Sequence, residues 1–206
     1  MPTNIDTALT TLAATKIFLN VGQDAANTSR DSQISALISA VSGEISTFCG
    51  RKFAQATYTN EIYNGNGSEF LWLRNWPTTV TSIYEDSGGA FGSGTLLTAR
   101  SGGSGDYWAM AGEESHGRVV KVNGVWGAGH GNIQVTYVGG YATIPTPISE
   151  LAHEWIGILW ARSERKAHDM QSQAGPAGGS TSYLAREIPA DITARLMRWK
   201  AIRIYG

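Results

Sequence analysis

The sequence predicts an α+β protein: a helical bundle of about four helices with an inserted antiparallel β region made of hairpins or a small sheet. Two observations predict this class. Apolar residues recur at steps of three and four near both ends of the chain, as expected of helices with one buried face. Between residues 57 and 141, short runs typical of strands alternate with turns. Because a few residues cannot make the crossover that parallel strands need, these strands are predicted to be antiparallel.

The strongest helix signal covers residues 31–49. Its apolar residues fall on one face of a helix and are Ile34, Leu37, Ile38, Val41, Ile45 and Phe48. Gly50 follows, where a residue in the left-handed conformation commonly ends a helix. A shorter helix with weaker periodicity is predicted before it, over residues 7–19.

A junction between a strand and a helix lies near residue 140. Ile133, Val135 and Tyr137 alternate as in a half-buried strand, and two glycines follow them. Two prolines come next, and proline is tolerated in the first turn of a helix but not in its interior. A helix over residues 147–168 is therefore predicted.

These elements divide the chain into three parts. Residues 1–170 are predicted to form the core, and residues 187–206 are predicted to form a C-terminal helix. The linker over residues 171–186 is rich in Gly, Ser, Ala and Gln, a composition typical of flexible segments.

Composition agrees with a structural protein but does not by itself identify one. Charged residues make up 16% of the 206 residues, against about 25% in typical soluble domains. The net charge of -1 provides no general attraction to nucleic acid or to an anionic membrane. Cys49 is the single cysteine, so an intrachain disulfide is excluded. The sequence is also predicted to lack a secretory leader and a membrane-spanning segment.

The motifs that suggest an enzyme are incomplete. His153-Glu154 resembles the start of a zinc-protease helix, but Gly157 stands where the second histidine ligand is needed. The glycine-rich stretch 127–132 precedes a strand instead of opening a helix, so it does not match a dinucleotide-binding loop. Neither Ser93 nor Ser104 completes a nucleophile motif. We therefore predict no catalytic, metal-binding or cofactor-binding residue, no cofactor and no enzymatic activity.

An ordered set of short motifs resembles a known family. The set comprises a helix before Phe48-Cys49-Gly50-Arg51-Lys52-Phe53, a strand ending in Tyr63-Asn64-Gly65, then Leu71-Trp72-Leu73, Trp76-Pro77 and Val80-Thr81-Ser82-Ile83, and finally Val135-Thr136-Tyr137-Val138-Gly139-Gly140-Tyr141 with Ile144-Pro145 before a helix. In this order, from about Thr10 to Lys166, the chain resembles the head-tail connector proteins of tailed bacteriophages, also called head completion or adaptor proteins.

The resemblance implies a non-enzymatic virion protein, assembled in the host cytoplasm and located in the neck of the particle. Its subunits would form a homo-oligomeric ring of about twelve copies. The ring would bind the portal protein, extend the DNA channel and provide the platform for the tail or its terminator. Packaged DNA would pass through without sequence-specific binding, and no membrane would be involved.

Four tryptophans of the predicted β region are candidates for contact residues. Trp72, Trp76, Trp108 and Trp126 could belong to the core, anchor an interface between subunits or stack on sugar rings. We expect a mixture of core and subunit interface. A carbohydrate-binding module, with exposed tryptophans beside glycine-rich loops, is the alternative function.

Basic residues are concentrated near the end of the sequence. From Trp160 onward there are eight basic residues against four acidic ones, a net charge of +4. These cations could simply favour helix C-termini on a solvated face. They could also orient a partner electrostatically, in which case Arg195, Arg198, Lys200 and Arg203 are predicted to face the portal or the packaged DNA.

Overall fold

The computed structural model describes residues 8–21, 28, 30–76, 78–89, 91, 94–101, 103–110, 112–164, 170–172, 182–183 and 188–201. The chain forms two compact units. The helical unit combines residues before Gly50 with residues 144–199, and the sheet unit is built mainly from residues 50–143.

The described part of the helical unit contains four α-helices. They are α1 (Leu12–Leu19), α2 (Asp31–Cys49), α3 (Thr146–Glu164) and α4 (Ala190–Leu196), the last followed by a 3-10 turn (Met197–Trp199). The sequence predicts helices over 7–19, 31–49, 147–168 and 187–206. The ends of the last two predictions, residues 165–168 and 202–206, lie outside the described residues.

Local sequence explains where α1 begins and ends. The Thr11 hydroxyl accepts a hydrogen bond from the Ala14 backbone N–H at 3.2 Å, which caps the first turn. Asn20 adopts a left-handed conformation with φ of 52° and donates its N–H to the Ile17 carbonyl.

The helices of this unit bury most of the apolar positions that periodicity marks, although Leu37 and Phe48 of α2 are only partly buried. The buried residues of α2 are Ile34, Ile38, Val41, Ser42, Ile45 and Cys49, and those of α3 are Ile148, Leu151, Ala152, Trp155, Ile156 and Trp160. Ile192, Leu196 and Trp199, from α4 and the turn after it, are buried too. The C-terminal helix is thus a structural part of the helical unit.

The described part of the sheet unit contains seven strands in two antiparallel sheets. The strands are β1 (Ala56–Gly65), β2 (Phe70–Trp72), β3 (Thr78–Glu85), β4 (Thr95–Leu97), β5 (Tyr107–Ala109), β6 (Arg118–Lys121) and β7 (Gly129–Gly139). One sheet has the strand order β1-β7-β3-β4, and the other has the order β2-β6-β5.

The predicted architecture, a helical bundle with a small β insertion, is wrong. The sheet unit has its own hydrophobic core, to which both sheets and the loops beside them contribute Leu71, Leu73, Ile83, Leu97, Tyr107, Val119, Trp126, Ile133, Val135 and Tyr137. Strand periodicity identifies each short run by itself. It does not reveal that β7 pairs with β1 and β3 at once and so joins distant runs into one large sheet.

The predicted linker, residues 171–186, lies largely outside the described residues. Its described ends belong to two short strands, β8 (Met170–Ser172) and β9 (Ser182–Tyr183), which pair in antiparallel fashion. The predicted division of the chain into core, linker and C-terminal helix stays a prediction.

Candidate assembly interface

Three separated segments of the sheet unit meet around Arg51, which is buried. Its guanidinium carbon lies 3.4 Å from the ring centroid of Trp76, 4.9 Å from that of Phe53 and 5.5 Å from that of Tyr141. The guanidinium also donates a hydrogen bond to the Trp76 backbone carbonyl. Aromatic faces can stabilise a desolvated cation. The sequence motifs that contain these four residues therefore form one packed cluster.

Two glycines beside this cluster are required by close backbone packing. Gly140 has φ of 94°, and a Cβ there would lie 2.5 Å from the Ala54 carbonyl oxygen. A Cβ at Gly139 would lie 2.2 Å from the Asn75 carbonyl oxygen. A side chain at either position would displace backbone. The Gly-Gly-Tyr motif is thus explained by folding.

The three-stranded sheet has an unusual outward face. Leu71, Tyr107 and Val119 point into the core. Two rows of side chains cross the opposite side, Phe70–Val120–Trp108 and Trp72–Arg118–Met110. Trp108 is 51% exposed, and the other five are partly exposed. Solvated faces of antiparallel sheets are usually polar, so these six residues, here called the aromatic face, are a candidate contact surface.

Arg118 is the charged residue among these six. Its guanidinium carbon lies 5.4 Å from the Phe70 ring centroid and 5.8 Å from that of Trp72. Its Nε–H donates to the Met110 sulfur at 3.0 Å. The ion pairs among the described residues do not include Arg118. Two rings and a thioether therefore hold the guanidinium in place, and it has donors left for a carboxylate.

A hydrogen-bonded network around Glu61 stabilises the four-stranded sheet. The hydroxyls of Tyr137 and Tyr63 donate to Glu61 Oε2 at 2.5 and 2.9 Å, and Arg74 lies 3.1 Å from the other carboxylate oxygen. Burial is the main cause that raises the pKa of both tyrosines above the usual value. Both hydroxyls therefore remain protonated donors at neutral pH, which is a structural role.

His153 also has a structural environment. Its Nε2 lies 2.6 Å from the Thr10 hydroxyl, and its ring stacks on Phe18 with 5.1 Å between the ring centroids. Burial lowers the pKa of His153 below its usual value. Among the described residues, no group of three or more His, Cys, Asp or Glu side chains is arranged to hold a metal ion.

No helix in the described ranges combines the length and apolar character needed to span a bilayer.

The family model for the head completion protein matches residues 8–201 of the chain. The chain belongs to the head completion protein family. The membership predicted from the ordered motifs is confirmed, and with it the prediction of a structural virion protein. No curated protein matches the chain significantly.

Two solved structures contain chains of similar fold. In the structure titled "Neck of empty GTA particle computed with C6 symmetry", the matching chain has a TM-score of 0.54 and 13% identity, with 96% of this chain and 92% of that chain covered. In "Virion of native gene transfer agent (GTA) particle", the TM-score is 0.55 and the identity 13%, with coverages of 100% and 94%. This family member therefore shares its fold with chains of similar length.

The four predicted tryptophans of this family member occupy different environments. Trp126 is fully buried, and its indole N–H donates to the Glu69 carbonyl at 3.1 Å. Trp76 is 2% exposed and packs on Arg51. These two residues are part of the core and present no surface to a partner. The interface prediction is untested for all four, and as a proposal it now concerns Trp72 and Trp108 on the aromatic face.

The predicted basic residues are not equivalent either. Arg195 forms two hydrogen bonds with the Glu154 carboxylate, at 2.7 and 2.9 Å, and these bonds are the main cause that raises its pKa. Arg198 lies beside the ring of Trp199 and is exposed, as is Lys200. Arg203 lies outside the described residues. Arg195 is thus already engaged within the helical unit.

Two features of the surface were missed by reasoning from the sequence alone. Arg118 and Phe70 were not singled out, although Phe70-Leu71-Trp72 and Trp108-Ala109-Met110 alternate in the same way around a small or aliphatic residue. Alternation of this type places the two large side chains of each run on one face of its strand, but it does not show which face is outward. Only the pairing of β2 and β5 with the same strand, β6, brings them together.

Proposed function

We propose that this head completion family member is a ring subunit of the virion neck. It binds beneath the portal protein, extends the DNA channel and provides the platform for the tail or its terminator. The family match over residues 8–201 carries the proposal. The similar folds in structures titled as a neck and a virion of a gene transfer agent support it.

Repeated contacts provide the affinity in this proposal. Each of about twelve subunits uses one patch to contact the next subunit and a different patch to receive the previous one, so that the ring closes by rotation. Docking of the closed ring on a matching ring is multivalent, which raises the overall affinity without strong individual contacts. The aromatic face, a contact surface and not a reactive centre, fits this mode of action.

The test is removal of the gene from the particle-producing genome. We expect DNA-filled heads to accumulate without tails, and particle yield to return when the intact gene is supplied separately. Electron microscopy of complemented particles, with a tag on this chain, should locate it in the neck. Tailed particles at normal yield without the gene would overturn the proposal.

The basic C-terminal residues enter the proposal as contacts to the portal or to DNA. Truncation is a poor test, because Ile192, Leu196 and Trp199 are buried and their removal would open the core of the helical unit. Joint reversal of Arg198→Glu and Lys200→Glu avoids this problem. We expect the joint variant to fold and to lower the yield of tailed particles, whereas Lys52→Glu, at another exposed basic residue, should not. Equal yields would contradict this part of the proposal.

A carbohydrate-binding module is the second candidate function, and the half-exposed ring of Trp108 is the observation that favours it. Titration of the tryptophan fluorescence with glycans separates the two candidates. Saturable quenching that Trp108→Ser abolishes would support the module. A ring-sized species in light scattering would support the neck subunit.

A further inference from the structure

The exposed face of α2 is also unusual, because its side chains are small whereas those of the aromatic face are large. Its exposed residues are small or short: Ser32, Ser35, Ala36, Ser39, Ala40, Gly43 and Thr47, with Gln33 and Glu44 beside them. Glu44 is the one charged residue between Ser32 and Cys49. The exposed face of a helix ordinarily carries many long charged side chains. The face of α2, here called the small-residue face, is therefore nearly neutral and has few long side chains, so projecting groups of a partner can come close to the helix backbone.

The small-residue face has room for the side chains of a partner at Gly43 and carries one negative charge, the Glu44 carboxylate. A Cβ added at Gly43 would meet no atom within 4 Å. No hydrogen bond or ion pair among the described residues involves the Glu44 carboxylate. A bulky partner could therefore approach the helix closely, and a cation on that partner would find a free carboxylate.

The aromatic face has the matching properties. It offers projecting rings, of which Trp108 is 51% exposed, and a guanidinium without a carboxylate partner among the described residues, that of Arg118. Large rigid aromatic groups and arginine are the residue types that most often provide the binding energy of interfaces. Every copy of the chain carries both faces, so a row of copies can use both at every contact.

We propose that the aromatic face of one copy packs against the small-residue face of α2 in the next copy, and that Arg118 pairs with Glu44 across this contact. The inference rests on the proposed ring. A contact between two different patches is heterologous, which is the type that closes a ring by rotation.

Charge reversal tests the pairing directly. Arg118→Glu and Glu44→Arg should each lower the yield of completed particles at least about tenfold, because each places two like charges opposite one another. The two reversals in one chain restore opposite charges and should return most of the yield. Glu44→Arg combined with Lys52→Glu is the matched control, because it has the same net charge and should not restore the yield.

Circular dichroism and the unfolding midpoint of each purified variant show whether it is folded before its yield is interpreted. Normal yield from both folded single variants, or low yield from the folded double reversal, would overturn the pairing. Neither result would affect the proposed neck function, which the gene-removal experiment tests separately.

Cysteine cross-linking gives a second measurement that does not depend on yield. A chain with Trp108→Cys and Gly43→Cys should form a ladder of disulfide-linked multimers under mild oxidation of assembled particles, because each copy would be linked to the next. Cys49 is buried and serves as the unchanged background. The ladder should be absent from either single variant. A double variant that stays monomeric in assembled particles would overturn the contact.

Discussion

The outward faces of the two sheets differ although their inward faces share one core. On the four-stranded sheet, one row contains apolar and aromatic groups, Ile62–Gln134–Tyr84–Leu96, and the neighbouring rows are Thr136–Ser82 and Thr57–Val138–Thr79. None of these residues is charged. On the three-stranded sheet, the outward rows contain three aromatic rings around Arg118.

Outward residues of a strand are more informative about partners than inward ones. Inward residues of both sheets must fill one cavity, so their apolar character is fixed by folding. Outward residues are free of that requirement, and folding alone explains a largely polar face with a few apolar side chains such as Ile62 and Leu96, since single exposed apolar residues are usual on protein surfaces. It does not explain a face with Phe70, Trp72 and Trp108 around a guanidinium. That difference points to a contact outside the chain.

The largest expected effect is a loss of stability in the core that both sheets share. Trp126→Ala removes a fully buried ring from the shared core and a hydrogen bond to the Glu69 carbonyl. We expect the free energy of unfolding of the sheet unit to fall by about 3–5 kcal/mol, the usual cost of a cavity left by a large aromatic side chain. Denaturant unfolding followed by circular dichroism measures it. The control is Trp108→Ala, which should cost far less, and an equal loss in both variants would contradict the shared core.

Of intermediate size is the expected effect of outward substitutions on assembly, which can be separated from their effect on stability. Trp108→Ser and Leu96→Ser change residues of similar exposure, 51% and 53%, on the outward faces of the two sheets. We expect each to change the free energy of unfolding by less than about 1 kcal/mol, as is usual for surface positions. Only Trp108→Ser should lower incorporation of the chain into particles, measured by quantitative immunoblot. If Leu96→Ser lowers incorporation equally, the two faces do not differ in function.

The smallest effect concerns the connection between β4 of the four-stranded sheet and β5 of the three-stranded sheet, here called the joint. Asp106, just before β5, accepts hydrogen bonds at 2.8 Å from the backbone N–H and the hydroxyl of Thr98, just after β4. These bonds hold the pKa of Asp106 below its usual value. Since the folded state then binds the proton more weakly than the unfolded state, this stabilisation is fully present above the unfolded pKa, about 3.9. It is lost as the pH falls through the lower folded pKa.

Asp106→Asn should therefore show a lower unfolding temperature than the native chain at pH 6, with the gap narrowing as the pH approaches 2. Calorimetry across this range measures the gap. A gap that stays constant with pH would show that the carboxylate charge does not stabilise the joint.

Much of the helical unit follows from the sequence. The steps of three and four in α2 identify Ile34, Ile38, Val41 and Ile45, which are four of its six buried residues. Gly50 and the prolines near residue 146 mark where helices end and begin. The motifs around Arg51, Trp76 and Tyr141 identify the family, but their sequence does not show why they occur together. The structure supplies the reason, because these three side chains pack against each other.

The periodicities can be read from the amino-acid sequence, and with them the helices, the strands as separate runs and the family. The tertiary structure decided how large the sheet unit is and that Trp126 and Trp76 are core whereas Trp108 is surface. The physical reason is that a period of two shows that successive side chains point to opposite faces of a strand. It does not show which of those faces is covered. Coverage depends on strands that are distant along the chain, and only the folded molecule brings them together.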